Sequence, residues 1–224
     1  MKKLFIHIPK NGGMTIRHSD VLKKHIMIVK KDKLISPAYL GNLKRHMKNL
    51  GDHHGIEHAR WRDCADWVRH HQAFCLIRNP WSKVSSRYQW AKACIESGVS
   101  PQGYADVSSL EAFLEERHKY GKMEYMWHRA IRGWYQQLDH IVDDTGKVRV
   151  DCLRTEKLNQ EVCMYFKIPE MTRARNVTVG KVPYAEIYNP KTIQIVADWY
   201  KRDIDHFGFD FDTPAQKNYW AKEK

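Results

Sequence analysis

Lys10 is followed at once by Asn11-Gly12-Gly13, and a second charged residue, Arg78, is followed eight residues later by a hydroxyl, Ser86. Both groups suit anions. Glycines let the backbone turn so that successive N–H groups point inward, and a helix opening just after them adds the positive end of its dipole. On that reading Pro9 ends a strand, Asn11, Gly12 and Gly13 form a cradle, Met14 and Thr15 open the helix, and Lys10 reaches the same anion from the strand side. A lysine about 4 Å from an anionic oxygen contributes roughly 4 kcal/mol at an effective dielectric of about 20, against about 0.3–1 kcal/mol from a helix terminus. The backbone would place the anion and Lys10 would supply most of the charge stabilisation. The order is not that of an ordinary nucleotide P-loop, G-x-x-x-x-G-K-[ST], in which the lysine follows the last glycine and a neighbouring hydroxyl holds magnesium. Taken alone, Pro9 to Gly13 is equally well a surface turn after an edge strand. Arg78 and Ser86, converging from a strand end and the following helix, suit a second phosphate. Two such turns serving one ligand must lie side by side.

Between them, "HHGIEH" holds His53, His54, Glu57 and His58, side chains able to take a proton from an acceptor hydroxyl. The same stretch contains a literal H-x-x-E-H, His54-Gly55-Ile56-Glu57-His58, the zinc-protease pattern in which both histidines bind metal from one helix. Gly55 weakens a helix, and no third ligand is evident. His7, inside the first apolar run, reads as a core histidine.

These residues must be positioned by strands and helices. Leu4 to Ile8 and Ala73 to Ile77 are short, continuously apolar runs, the pattern of strands buried on both faces of a parallel sheet. After the second, Asn79 is placed as N-cap and Pro80 as first helical residue, and Trp81, Val84, Tyr88, Ala91 and Ile95 recur at helical spacing. That periodicity puts Ser86 on the solvent side. Leu110 to Arg117, Met123 to Arg132 and Glu156 to Phe166 read as helices, and Asp139 to Asp151 as a hairpin turning at Asp143 to Gly146. A last helix starts at Asn189-Pro190, carries Ile193, Val196, Ala197, Tyr200, Ile204 and Phe207 on one face, and stops at Gly208. Strands alternating with helices predict an α/β fold with a mainly parallel sheet and ligands at the carboxyl ends of its strands.

At 224 residues and 42% hydrophobic content, one domain with one substantial core is expected. No run approaches the roughly 20 apolar residues of a membrane span, and no signal peptide is evident. The five cysteines are scattered, never as C-x-x-C, which suggests neither a disulfide framework nor a thiolate zinc site and fits a reducing cytosol. A net charge of +12 and a pI near 9.4 point to an anionic partner. A nucleic-acid-binding module, in which basic residues mix with aromatics, is one way to use that charge.

"IPKNGGMTI" resembles the 5′-phosphosulfate motif, and "RNPWSKVSSRY" the 3′-phosphate motif, of sulfotransferases that use PAPS, 3′-phosphoadenosine 5′-phosphosulfate. The likeness is to the carbohydrate-type branch, through "HHGIEHARW", "VRVDCLRTEKLNQEV" and "YNPKTIQIVADWYKRDIDHFGFDF", and it runs to about Phe211. Met14 departs from the small hydroxyl residue of many relatives; Thr15 stands next to it. The resemblance implies a P-loop-containing three-layer sandwich, a central mainly parallel sheet flanked by helices, as a single domain over 1–211 with a polar tail over 212–224. It implies PAPS as donor, PAP as product and no metal. Lys10 and residues 9–15 would hold the 5′-phosphosulfate, Arg78 and Ser86 the 3′-phosphate, and His54 would be the base, with His53 next and Glu57 also in play because some relatives use a glutamate. Arg173, Arg175, Asn176 and Lys181 fall where family members close over the nucleotide. Trp61, Trp81, Trp127 and Trp134 are candidates for an acceptor site or for the core. The implied acceptor is a hydroxyl on a glycan or small molecule, with no nucleic acid; the sequence departs from Golgi relatives in beginning at the first motif, without their membrane anchor, and with the scattered cysteines this leads to an expected cytoplasmic location.

Overall fold

A computed structural model describes residues 1–50, 55–98, 106–120, 134–171 and 182–212. Their apolar runs form four strands, β1 (Lys3–Ile6), β2 (Ile26–Ile28), β3 (Ala73–Ile77) and β4 (Asp151–Arg154). All pair in parallel, in the order β2-β1-β3-β4. Every residue of β3 is buried, as a strand covered on both faces requires. Because side chains alternate along a strand, the sheet feeds two cores. Leu4, Ile6, Cys75, Ile77 and Cys152 enter one, whereas Phe5, Phe74, Leu76 and Leu153 enter the other.

The helices are α1 (Gly13–Arg17), α2 (Pro37–Leu50), α3 (Asp66–Arg69), α4 (Pro80–Glu96), α5 (Leu110–Leu114), α6 (Glu116–Tyr120), α7 (Leu138–Ile141), α8 (Leu158–Phe166), α9 (Pro190–Trp199) and α10 (Lys201–Phe207). The first core takes Trp81, Val84, Tyr88 and Ala91 from α4, with Val196 from α9 and Phe207 from α10; the second takes Ile16 from α1, with Val162 and Tyr165 from α8. Helices therefore cover both faces of the sheet, and the chain has an α/β fold. Among the described residues no helix is long and apolar enough to cross a membrane.

Local chemistry sets the helix starts. The Asn79 side chain accepts from the amides of Trp81 and Ser82, and Pro80 occupies the first turn of α4. Asn189 and Thr192 form a reciprocal cap on α9, and Gly208, at φ 68°, ends α10. The expected single last helix is bent into two at Tyr200. The amide of Tyr200 still donates to Val196 O and that of Ile204 to Tyr200 O, both at 3.0 Å, so the apolar stripe keeps its phase across the bend.

The expected hairpin over Asp139 to Asp151 is present in shortened form: it turns at Asp143 to Gly146, with the amide of Asp143 donating to Lys147 O and that of Arg149 to Ile141 O, each at 2.9 Å, but its two ends belong to other elements. Asp203 accepts from the amides of Gln137 and Leu138, at 2.7 and 3.0 Å, and starts the helical turn α7. A single antiparallel bridge, Val142 to Val148, flanks the Asp143 turn, and the chain then enters β4, parallel to β3. The expected helix over 110–117 divides into α5 and α6, and α8 is preceded by a 3₁₀ turn at Thr155–Lys157. The helix expected over 123–132 lies outside the described residues.

Beneath α4, Lys83 is 2% exposed, and its Nζ donates to Tyr135 O at 3.0 Å and lies 5.1 Å from the Tyr200 ring centre. Burial pulls its ammonium down to about 8, with the nearby Asp203 opposing the shift. Between that value and lysine's ordinary 10.5 the unfolded chain holds more protons than the folded one, so this group's contribution to stability rises with pH across the window. Relative to Lys83→Met, the wild type should gain up to about 1.4 kcal/mol per pH unit between pH 8 and 10. Urea unfolding of both proteins at several pH values measures this, and a difference that stays flat would contradict it.

Candidate functional site

Past Ile6 the chain leaves the sheet through His7, Ile8 and Pro9, all buried, and turns sharply. Lys10 and Gly12 have φ of 66° and 79°, two left-handed residues in three, and Gly12 then caps α1. Gly13 is required for a different reason. A Cβ at Gly13 would lie 2.1 Å from His7 Cδ2 and 2.2 Å from Nε2, so only a hydrogen lets the imidazole pack there. The Asn11 side chain points into the fold, where Nδ2 donates to Leu76 O and to Gln137 Oε1, each at 2.6 Å. Its own carbonyl accepts from Thr155 Oγ1 at 3.0 Å, which ties the turn to the end of β4.

Arg78 emerges from β3, the direct neighbour of β1, with Ile6 opposite Cys75. The two turns meet: Arg78 Nη1 donates to the carbonyl oxygen of Lys10 at 2.8 Å. Arg78 Nε donates to Ser82 Oγ at 2.9 Å, and the amide of Asn79 donates to Glu156 Oε1 at 2.7 Å. Burial pulls the Arg78 guanidinium below arginine's usual range, and the charge of Glu156 pushes back. In the order β2-β1-β3-β4 the chain crosses to the other side of β1 between β2 and β3, so the paired turns occupy the switch point where open α/β sheets take ligands.

Ser82, Ser86 and Trp90 are spaced four apart and share one face of α4. Ser82 holds Arg78, and Lys10 Nζ sits 4.9 Å from the centre of the Trp90 ring. Ser86, between them, is half-buried rather than fully solvent-facing, on the stripe that looks toward both turns. Met14 is half-buried with its sulfur beside Arg17, and Thr15 is buried in α1.

The histidine segment docks on the first turn. Residues 55–58 form a turn, not the helix that the zinc-protease pattern uses. Arg17 grips both carboxylate oxygens of Glu57, at 2.7 and 2.5 Å. The Nδ1 of His58 lies 2.8 Å from His7 O; a carbonyl only accepts, so Nδ1 carries the proton and Nε2 is the basic nitrogen of the neutral ring. The His7 and His58 rings are 4.3 Å apart, and His7 is 6% exposed, a core histidine packed against Gly13. Among the described residues no cluster of three or more His, Cys, Asp or Glu is arranged to hold a metal. His53, His54, Arg173, Arg175, Asn176, Lys181 and Trp127 lie outside the described residues. Trp81 and Trp134 are core, at 4% and 1% exposure, while Trp61 is half-buried.

Gln137, Trp90, Thr155 and Glu156 were not expected at the site. Trp90 could have been found from its i+4 spacing to Ser86. The other three join it only through tertiary contacts that no local pattern announces.

The packing at the first turn is directly testable. Gly13→Ala should cost about 1–3 kcal/mol by forcing the His7 ring aside, and combining it with His7→Ala should recover part of that loss. Urea denaturation of the two single variants and the double variant reads this out; a Gly13→Ala protein as stable as wild type would contradict it. Comparison of the chain with protein-family models, with curated proteins and with solved structures finds no match.

Proposed function

We propose that the chain is a PAPS-dependent sulfotransferase, its α/β fold a P-loop-containing three-layer sandwich spanning residues 1–211. The observation that supports this reading is the hydrogen bond from Arg78 Nη1 to the Lys10 carbonyl: the turns that follow β1 and β3, 68 positions apart in the chain, touch at the carboxyl ends of those two strands. A ligand with two separate phosphates is what two such turns would serve.

Lys10 would bind the 5′-phosphate and its bridging oxygen, with backbone amides from Asn11 to Thr15 around the same group. A cation over an indole is held by about 0.5–1 kcal/mol at an exposed site, against roughly 4 kcal/mol for a lysine beside an anionic oxygen, so an arriving phosphosulfate would draw Lys10 off Trp90. Arg78 and Ser86 would hold the 3′-phosphate. A guanidinium has five N–H donors, and Lys10 O and Ser82 take one each, so Arg78 keeps others for an anion while staying locked in place.

The donor supplies a sulfuryl group whose bond to the bridging oxygen breaks as the acceptor oxygen bonds to sulfur, with the electron pair left on the phosphate. Lys10 would neutralise that charge as it develops, and the acceptor proton would pass to a base in the 53–58 segment, with His54 favoured by likeness and His53, Glu57 and His58 beside it. By analogy with phosphoryl transfer, the displacement is in line and catalysis is mostly positioning and electrostatics. No metal is required, the acceptor is a glycan or another small hydroxyl compound, and the protein acts in the cytoplasm.

Calorimetric titration with adenosine 3′,5′-bisphosphate tests the reading. Micromolar binding is expected, weakened at least about tenfold in both Lys10→Ala and Arg78→Ala. Absence of binding, or tight and steeply salt-dependent DNA binding that the nucleotide does not affect, would overturn it.

A further inference from the structure

We infer that Gln137 is the positioning residue that holds the two anion-binding turns in register, so that one ligand can span both. The inference rests on the nucleotide reading proposed above. Gln137 is fully buried, and three bonds leave its side chain toward two different turns. Oε1 accepts from Asn11 Nδ2 at 2.6 Å and from the amide of Arg78 at 2.8 Å, while Nε2 donates to Arg78 O at 2.9 Å. One amide side chain thus grips the backbone of Arg78 from both sides and the side chain of the residue that follows Lys10.

The need for such a clamp follows from the topology. The register of β1 with β3 extends only to Ile6 opposite Cys75, so Lys10 and Arg78 both lie beyond the ladder that fixes their strands. Strand pairing sets the separation of the strand ends but not the direction of the turns leaving them. Gln137 bridges those turns from a fixed point, because its own amide donates to Asp203 Oδ2 at 2.7 Å, and Asp203 is fully buried in α10. The reference frame for the anion site is therefore the buried α7 and α10 contact as well as the sheet. A neutral amide is the group for this place: it both donates and accepts, and it adds no negative charge beside Lys10 and Arg78.

The test uses the full chain with Gln137→Met, close in size but unable to make the three bonds, and measures two things. Without ligand, amide hydrogen exchange at Arg78 and at residues 10–13 should speed up by about tenfold or more, while residues 74–76 in β3 stay unchanged. With ligand, the preference for adenosine 3′,5′-bisphosphate over adenosine 5′-monophosphate should fall by about tenfold, while affinity for the monophosphate stays within about threefold of wild type. An unchanged preference together with unchanged exchange would overturn the inference, as would an equal loss of both nucleotides, which is the mark of general loosening. If wild type itself fails to bind the bisphosphate, the nucleotide reading falls, and the exchange measurement alone then decides whether Gln137 couples the turns. Should Gln137→Met fail to fold, Gln137→Asn, which keeps an amide but is one methylene too short to span both turns, carries the same two comparisons.

Discussion

β1 and β3 lie side by side in parallel, so they deliver their following turns to the same end of the sheet, and there the Arg78 guanidinium closes on the carbonyl of Lys10. Each of the site's features depends on this junction. The left-handed turn at Lys10 and Gly12 presents its carbonyl to Arg78, and Arg78 is held along α4 by Ser82. The same stripe of α4 carries Ser86 and the indole on which Lys10 rests. Were the two strands separated by a third, two basic turns would remain but no single ligand could use both.

The junction assembles positive charge in a partly dry place, and the surrounding residues show how the fold tolerates that. Desolvation works against the charged form of Arg78, and Glu156 offsets it only in part. Glu156 also accepts from the amide of Asn79, so the acid that moderates Arg78 helps fix the start of α4. Below, the buried Lys83 and Asp203 each resist their charged form, and Asp203 is recruited to cap α7, the turn that presents Gln137. Opposite charges near one another in such places add little net stability, since desolvation cancels most of their attraction. Their contribution is orientation. An anion binding at the junction would meet donors already aimed, with little reorganisation left to do.

Much of the scaffold was legible in the sequence because it is written locally. The apolar runs of β1 and β3, the Asn79-Pro80 start of α4 and the Asn189-Pro190 start of α9 follow from burial and capping chemistry that neighbouring residues suffice to define. The misread parts depend on distant partners. Asp203, some 60 residues away, turns the start of the expected hairpin into α7, and pairing with β3 draws its last residue, Asp151, into a parallel strand. Gly13 is instructive in the same way: its sequence neighbours suggest a backbone cradle, whereas the close constraint on it is the imidazole of His7. Gln137 had no local signature, since a polar residue before a short helix is commonplace until its side chain is seen between two turns.

The central claim, that a single doubly phosphorylated nucleotide lies across the β1 and β3 turns, is most directly tested by a crystal structure of the protein with adenosine 3′,5′-bisphosphate. The account predicts the 5′-phosphate against Lys10 and the amides of Asn11 to Thr15, and the 3′-phosphate against Arg78 and Ser86. A nucleotide bound on another face, or one touching only one of the two turns, would contradict it.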